Sequence, residues 1–508
     1  MAKKRKTRGA QGSAATAEAP AVRARRASAS SEVAIPAWLP WAVFAFLTVV
    51  LFWAFIFSGR MLFGSDTLSL GYMARKFYAD ALRAGDFPFW NPLLLGGAPF
   101  LEALSGGDSL YPTALLLLVM EPFRALGWKL VLHVFVAGLF MFGWTRRLGV
   151  SRAAALVAGV AYLLAPYFVT LVWPGHDGKM FVTALTPLLF WAMEATFTGG
   201  LLAFVGVAAV VALVILTTHF QMAYFLFGAA GLYYAFRCVE EARSARGAAE
   251  TTAPADSTPS EVPRERGPTG RALSRFGLFL AASVLGAAAA GVQLIPAVQY
   301  ATEFSRRTAT TTAATPEANK DYASQWSLHP EEIAALVVPE FVGNDSGGAD
   351  WTRGTYWGRN LIKFNHEYVG LVVMLLAGVS FFGARRRVLR FFFAALGLLA
   401  LLYALGAHTP VWHLAYAVLP GIRLFRAASM VVFLFGFAVA TLAAFGVDRL
   451  LELHASPDEA ASARVLRFLW IAAGVIALGL VLSAGGALAS LWSGVVYRDM
   501  DPAKAAAL

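Results

Sequence analysis

The 508-residue chain is 58% apolar and only 14% charged, which excludes an ordinary soluble protein, in which about a quarter of the residues are charged. Its net charge of +11 would suggest nucleic-acid binding in a soluble protein, but here Lys and Arg stand in short runs beside apolar segments, as in cytoplasmic loops of membrane proteins. With a single cysteine, Cys238, the chain has no intrachain disulfide and no CxxC metal pair. The composition therefore predicts a multi-pass helical membrane protein with no nucleic-acid partner.

The N-terminal 35 residues are rich in Ala, Ser, Lys and Arg and contain no bulky apolar cluster. Such a segment cannot bury enough apolar surface to fold, so we expect a disordered basic tail at the cytoplasmic side. The first apolar segment, at about 37–58, is followed by no small-residue cleavage site. It is predicted to be a retained signal anchor.

Eleven segments approach the roughly 20 apolar residues that a membrane-spanning helix needs. They fall at about 37–58, 127–145, 153–172, 180–197, 201–217, 222–238, 273–294, 367–383, 389–406, 427–446 and 465–486. Residues 109–123 are too short to cross and are predicted to be re-entrant or interfacial. The result is an all-α polytopic bundle with two transmembrane regions, 36–239 and 273–508, joined by a flexible, charged cytoplasmic linker at 240–272.

The distribution of Lys and Arg predicts the orientation of this bundle. Basic residues mark the turns at 146–152, 237–275, 385–390 and 449–467, whereas the long loops 59–108 and 296–365 are nearly charge-balanced. By the positive-inside rule, the N-terminus lies in the cytoplasm and both long loops lie outside the cytoplasmic (inner) membrane. The chain stops after an outward span, so we expect it to be a shortened form of a longer protein.

Polar residues cluster on the predicted outer face, with irregular or short-helical loops between the spans. The candidate site residues are Asp66 of GSDT, Glu102 and Asp108 later in the same loop, His176, Asp177 and Lys179 of WPGHDGKM, His219 and Gln221 of THFQ, His366 and Glu367 of NHEY, and Arg423 and Arg426 of PGIRLFRAAS. Each cluster has a structural alternative: a cap over the bundle, a wet turn, a helix cap, or snorkelling arginines. Its functional interpretation is contact with a substrate or a lipid phosphate.

Other catalytic signatures are missing from the sequence. It contains no HExxH, P-loop or dinucleotide fingerprint, so nothing in it indicates a nucleotide-driven pump, and no metal site is predicted. The carboxylates of the first loop, Asp66, Asp86, Glu102 and Asp108, could still hold a divalent cation. No cofactor is otherwise expected.

Six segments in order resemble the bacterial YfhO family of membrane proteins: GSDT, WNPLLLGGAPF, GHDGKM, the HxQ of THFQ, NHEYVG and PGIRLFRAASM. The resemblance covers roughly residues 60–485. It implies a GT-C-like glycosyltransferase that takes a sugar from a polyprenyl-phosphate donor and passes it to an envelope glycan or polymer. It further implies that Asp66 is either the general base or a residue that positions the acceptor with the help of a metal ion, and cations such as Lys179, Arg423 and Arg426 suit the leaving lipid phosphate.

Two other functions remain open at this stage. A transporter or lipid flippase would show related halves and polar residues within the spans, whereas the spans here are mostly free of charge and no repeat is evident. A non-catalytic envelope scaffold would need neither a cavity nor a polar path. A transferase predicts that Asp66, His176 and the arginine pair surround one outer cavity.

Overall fold

The computed structural model describes residues 35–62, 64–104, 106–252, 267–304, 316–339, 341–343, 356, 358–360 and 367–496. The basic tail at 1–34 and the last twelve residues lie outside this described part. So does His366, one of the predicted site residues. The described part is almost wholly helical, which confirms the prediction of an all-α polytopic membrane protein.

The helices follow one another along the chain, and the only strands among the described residues form one small hairpin. In chain order they are α1 Leu39–Ile56, α2 Tyr72–Arg83, α3 Leu116–Val119, α4 Pro122–Arg147, α5 Arg152–Leu163, α6 Pro166–Val169, α7 Asp177–Ala195, α8 Leu201–Leu216, α9 Phe220–Thr252, α10 Pro268–Ala289, α11 Gly291–Glu303, α12 Pro316–Ser324, α13 Leu371–Val379, α14 Arg387–Ala404, α15 Pro410–Val418, α16 Val432–Ala455, α17 Glu459–Ala484 and α18 Ala487–Val496. The hairpin pairs β1 Trp90–Asn91 antiparallel with β2 Ala98–Pro99.

Seven helices of the described chain, α1, α4, α9, α10, α14, α16 and α17, are long and apolar enough to cross a membrane. An eighth span results if α5 and the segment Pro166–Val172 count as one span with a 40° bend. Two more predicted spans appear as shorter apolar helices, Leu201–Leu216 and Leu371–Phe382. The remaining predicted span coincides with α7. The count of eleven and the direction of each span stay predictions.

Backbone chemistry explains where the spans are interrupted. The predicted span at 153–172 breaks because Pro166 has no N–H to donate and disfavours helix in the residue before it. The predicted span at 367–383 begins only at Leu371, since Gly370 adopts φ +96°. The first part of the linker predicted at 240–272 is helical, because α9 continues to Thr252 through a run of Ala, Glu and Arg, all good helix formers.

The central helix is α16, which is buried without interruption from Val432 to Gly446 and packs against α5, α13 and α14. Small residues permit this close packing, as is common between membrane helices. A Cβ at Gly446 would overlap the carbonyl of Leu376, and one at Gly436 would overlap the ring of Tyr167. The N-terminal end of α16 is thereby fixed beside the loops that follow α1 and α6.

Candidate functional site

The GSDT loop is attached to the WPGHDGKM turn by backbone hydrogen bonds. The N–H of Ser65 donates to the carbonyl of Trp173, and the N–H of Asp66 donates to the carbonyl of Pro174, each over 3.1 Å. The Ser65 hydroxyl donates to the same Pro174 carbonyl over 3.3 Å. Two motifs more than a hundred residues apart in sequence are therefore held as one unit.

Two glycines make this contact sterically feasible. A Cβ at Gly64 would lie 2.8 Å from the Cα of Gly175, and a Cβ at Gly175 would lie 2.6 Å from the amide nitrogen of Thr67. Gly175 also adopts φ +76°, a conformation in which other residues are strained. Immediately after Asp66, residues Thr67–Gly71 form a π-helical turn, a rare conformation that is found frequently at functional sites.

A chain of side-chain contacts runs from Lys179 through His176 to Asp66. The Lys179 ammonium lies 2.9 Å from Nδ1 of His176, and Nε2 of His176 lies 3.3 Å from the Asp66 carboxylate. Because an ammonium can only donate, Nδ1 accepts, and the ring's proton is on Nε2 and points to Asp66. A neutral imidazole satisfies both contacts.

The electrostatic environment agrees with this protonation pattern. The hydrogen bond from His176 holds the pKa of Asp66 below its usual value, although partial burial opposes the shift. Burial lowers the pKa of His176, outweighing its bond to Asp66. Burial likewise lowers the pKa of Lys179 to about 8, with Asp66 opposing the shift and Arg426 adding to it. At neutral pH the site therefore holds an ionised carboxylate, a neutral imidazole and a mostly protonated amine.

These three residues line a cavity of about 320 Å³, which we call cavity 1. Arg426 also lines this cavity, which therefore combines the carboxylate of Asp66 with the cations of Lys179 and Arg426. Asp66 remains accessible, with 62% of its side chain exposed. The apolar lining comes from Tyr167, Leu171, Met222, Met430, Val432 and Phe433. Further lining residues come from several separate stretches of the chain and are Trp326, Ser327, Glu332, Tyr356, Asn360, Glu367 and Ser429.

Arg426 is positioned by strained backbone and by Gln221. The Gln221 amide donates to the carbonyls of Arg426 and Ala427. Ala427 and Trp326 both adopt positive φ, at +58°, although neither is glycine. Such strain persists only where the surrounding structure imposes it, and it concentrates at functional sites. Gln221 therefore supports the loop that carries Arg426 and has its amide nitrogen directed at the backbone.

A second cavity, cavity 2, has a volume of about 250 Å³. Asp66 and His176 line both cavity 1 and cavity 2. The other lining residues of cavity 2 are Thr67, Leu70, Gly71, Arg75, Gly107, Leu126, Gly175, Asp177, Gly178, Thr217, Thr218 and His219. Burial lowers the pKa of His219 to about 3, and the neighbouring cation Lys179 adds to the effect. The imidazole of His219 is therefore neutral at physiological pH.

Asp108 forms a buried ion cluster rather than part of either cavity lining. Its carboxylate is 1% exposed and contacts Arg75 at 2.9 Å and Lys129 at 2.7 Å. Arg75 also contacts Asp177 at 2.9 Å, so two acids balance two bases. The two cations lower the pKa of Asp108 despite its burial. Both oxygens are occupied, so this position does not support a direct substrate contact by Asp108.

The remaining predicted residues divide between the cavity and the surface. Glu367 lines cavity 1, whereas Glu102 lines neither cavity. Arg423 also lies outside both, with its Nε donating to the Tyr416 carbonyl over 3.2 Å. Among the residues that the structure describes, no group of three or more His, Cys, Asp or Glu side chains could hold a metal ion. The first-loop carboxylates proposed as cation ligands do not converge there.

Several residues in and around the two cavities are missing from the set of predicted site residues. Arg75 and Lys129 neutralise Asp108, and Lys129 sits inside a predicted span with no exposed surface. A charged residue in an apolar span is itself a signal of function or of a buried partner. The segment from Trp326 to Glu332 was interpreted only as short helices and loop, and its density of aromatic and acidic residues was its one signal.

Comparisons with known proteins found likeness among solved structures. No protein-family model matches the sequence, and no curated protein matches it. Among solved structures, the chain is similar to the arabinofuranosyltransferase AftD from mycobacteria, with 14% sequence identity and a TM-score of 0.47. The match covers 90% of this chain but only 28% of that one, so this chain spans little more than a quarter of its length. A likeness at this TM-score does not assign an activity to this chain, and the YfhO resemblance stays a hypothesis.

Proposed function

We propose that this protein is a membrane glycosyltransferase of the GT-C type. It transfers a sugar from a polyprenyl-phosphate donor to a hydroxyl of an envelope glycan at the outer face of the cytoplasmic membrane. The observation that carries the proposal is cavity 1, in which an ionised, accessible carboxylate lies in the same space as two cations and an apolar wall. That combination matches a reaction between a hydroxyl and a lipid phosphate ester.

Asp66 is the base in this proposal. It accepts the proton of the acceptor hydroxyl while the hydroxyl oxygen bonds to the anomeric carbon of the donor sugar. The His176 Nε2–H fixes the carboxylate from one side through the 3.3 Å contact and leaves the rest of it accessible. An ionised carboxylate is required at this step, and the lowered pKa of Asp66 supplies it at neutral pH.

Lys179 and Arg426 serve the leaving group. As the bond between the anomeric carbon and the phosphate oxygen breaks, the lipid phosphate departs with the electron pair and gains negative charge. Cations positioned in a cavity of low polarity stabilise such charge more strongly than they would in water. Among the described residues, neither Lys179 nor Arg426 has a carboxylate within ion-pair distance, and Arg426 stacks over the Tyr322 ring at 5.5 Å. Both charges are available to a ligand.

The test is transfer of radiolabelled sugar from a panel of polyprenyl-phosphate pentoses and hexoses in membranes that contain the protein. Asp66→Asn preserves shape and removes the charge, so kcat should fall at least about 100-fold, the usual contribution of a general base. Asp80→Asn is the matched control, because Asp80 is an exposed carboxylate of the same outer loop and, within the described part of the chain, pairs only with Lys76 and Arg83. Its rate should stay within about twofold of the wild type.

Replacing the cations should affect donor binding instead. Arg426→Gln should raise the donor KM by roughly tenfold or more, since a hydrogen bond to a charged group contributes about 1.5–3 kcal/mol. Lys76→Met removes an exposed cation and should leave the donor KM unchanged. Movement of the lipid between leaflets without sugar transfer would replace the proposal with the flippase alternative. Absence of both activities in folded protein would favour the scaffold.

A further inference from the structure

The second cavity shares its central residues with the first, and that juxtaposition carries an inference about the acceptor. Asp66 and His176 line both cavities, whereas Lys179 and Arg426 line cavity 1 alone. A carboxylate between two separate spaces can take a proton from a group in one space while the sugar to be attacked occupies the other. The two spaces differ in charge, in size and in their hydrogen-bonding groups.

Among the described residues, cavity 2 has no cation available to a phosphate. Its one charged base, Arg75, is already neutralised by Asp108 and Asp177, each 2.9 Å away. Two further lining residues, Asp66 and Asp177, carry carboxylates, and that of Asp177 is paired with Arg75. The hydroxyls of Thr67 and Thr218, the imidazole of His219 and the backbone around the glycines are neutral. Such a lining suits hydroxyl groups rather than a charged headgroup. Its volume of about 250 Å³ is below the roughly 300–1,000 Å³ of pockets for drug-sized ligands, so it suits one sugar ring.

His219 offers a directed hydrogen-bond donor in this cavity. Its Nδ1 accepts the backbone N–H of Met222 over 3.4 Å, so the proton of the neutral ring lies on Nε2. Among the described residues Nε2 has no hydrogen-bond partner, and the ring lines the cavity. The preceding residue, Thr218, adopts φ +62°, which is a strained conformation for a β-branched residue. The strain is located where the chain turns to present His219.

Close packing against α7 holds His219 in place. A Cβ at Gly178 would lie 3.1 Å from the Thr217 carbonyl and 3.3 Å from the Cβ of His219. The glycine therefore lets the first turn of α7 rest directly on the Thr217–His219 turn. Asp66, on its own loop, completes the space, since its N–H is bonded to the carbonyl of Pro174 in the turn that precedes α7.

We propose that cavity 2 is the acceptor subsite and takes a neutral sugar ring, with a free hydroxyl directed at Asp66 and with His219 Nε2–H donating to a ring oxygen or hydroxyl. This inference rests on the proposed transferase function. The donor's phosphate and lipid then occupy cavity 1. The acceptor hydroxyl then reaches the Asp66 carboxylate from cavity 2, which Lys179 and Arg426 do not line.

The test measures donor and acceptor separately in purified protein in lipid nanodiscs. The probes are radiolabelled polyprenyl-phosphate pentoses and hexoses as donors and octyl pentosides and hexosides as acceptors. His219→Phe should raise the acceptor KM about tenfold, the effect of losing one hydrogen bond worth about 1.4 kcal/mol, with the donor KM unchanged. His219→Gln keeps an N–H donor and should restore most of the loss. His413→Phe is the control, because His413 is an exposed histidine whose imidazole forms a hydrogen bond with the Ala407 carbonyl.

Each outcome decides between the subsite and its alternatives. A raised donor KM with an unchanged acceptor KM would place the donor in cavity 2 and overturn the proposal. Unchanged constants for both substrates would overturn it as well. Direct binding of the octyl glycosides, measured calorimetrically, requires no turnover. Binding to the wild type that weakens in His219→Phe supports a sugar site even if no donor is transferred, in which case only the transferase proposal fails.

Discussion

The buried cluster of Arg75, Asp108, Lys129 and Asp177 makes a quantitative prediction about stability. Lys129→Met removes one charge while keeping a linear side chain of similar length. Lys129 has no exposed surface and its ammonium lies 2.7 Å from Asp108, so the change leaves the four-residue cluster with an excess negative charge. Removing one member of a buried ion pair usually costs about 3–5 kcal/mol. Because Asp108 keeps its 2.9 Å contact with Arg75, we expect the lower end, about 3 kcal/mol.

The reciprocal change and the double variant separate charge from packing. Asp108→Asn leaves an excess positive charge and should cost a similar amount. The double variant restores neutrality, because Arg75 stays paired with Asp177. Its loss should therefore be smaller than the sum of the single losses by about 1–3 kcal/mol, the usual coupling between contacting residues.

The assay is reversible unfolding in mixed detergent micelles containing increasing SDS, followed by tryptophan fluorescence. Lys76→Met is the matched control, since Lys76 also pairs with an aspartate but both side chains are about half exposed. Exposed pairs contribute about 0–1 kcal/mol, so the control should barely change stability. Additive losses in the double variant, or a Lys129→Met effect as small as the control, would refute the ion-cluster argument.

The same cluster predicts a pH dependence with a definite sign. Arg75 and Lys129 hold the pKa of Asp108 below that of an unfolded aspartate, so its contribution is fully present above about pH 4 and is lost as the pH falls. The stability difference between wild type and Asp108→Asn should therefore shrink on acidification below pH 4. A difference that stays constant down to the acid limit would contradict this linkage.

Three further predictions follow from the site and the topology. Gly175→Ala should cost about 1–3 kcal/mol because of its positive φ and its close packing, whereas Gly59→Ala, with open space around it, should cost little in the same unfolding assay. The donor KM should rise above about pH 8 as Lys179 loses its charge, and Lys179→Arg should abolish that rise in a pH–rate profile. In a cysteine-free background, Asp86→Cys should react with an impermeant thiol reagent in intact cells and Ser456→Cys only after permeabilisation; the reverse pattern would invert the topology.

Much of the architecture was predictable because membrane helices are specified by local composition. A run of about 20 apolar residues needs a bilayer whatever surrounds it, so the predicted bounds of α1, α8 and α14 fall within two residues of the structural ones. Interruptions were harder to predict. The break at Pro166 and the late start at Leu371 depend on backbone conformations that a hydropathy pattern does not encode.

The site was only partly predictable, and its residues show why. Polar motifs on one predicted face pointed to Asp66, His176, Lys179 and Arg426, which the structure brings to one cavity. The same reasoning treated Arg423 as the equal of Arg426, since sequence spacing cannot tell which arginine a strained loop directs inward. It treated Asp108 as a binding residue because the sequence does not show that Lys129, which lies in a different segment, pairs with this carboxylate.

The sequence by itself determined the class of the protein, the approximate positions of its spans and the set of polar loops on one face, because each depends on residues that are close together along the chain. Only the tertiary structure decided which loops meet. Gly64 and Gly175 allow two distant segments to share backbone hydrogen bonds, and that contact places Asp66 against His176 between two cavities. Long-range packing of this kind depends on glycines, which have no Cβ, at a few contact positions. The composition of a single segment does not show which other segment it will contact.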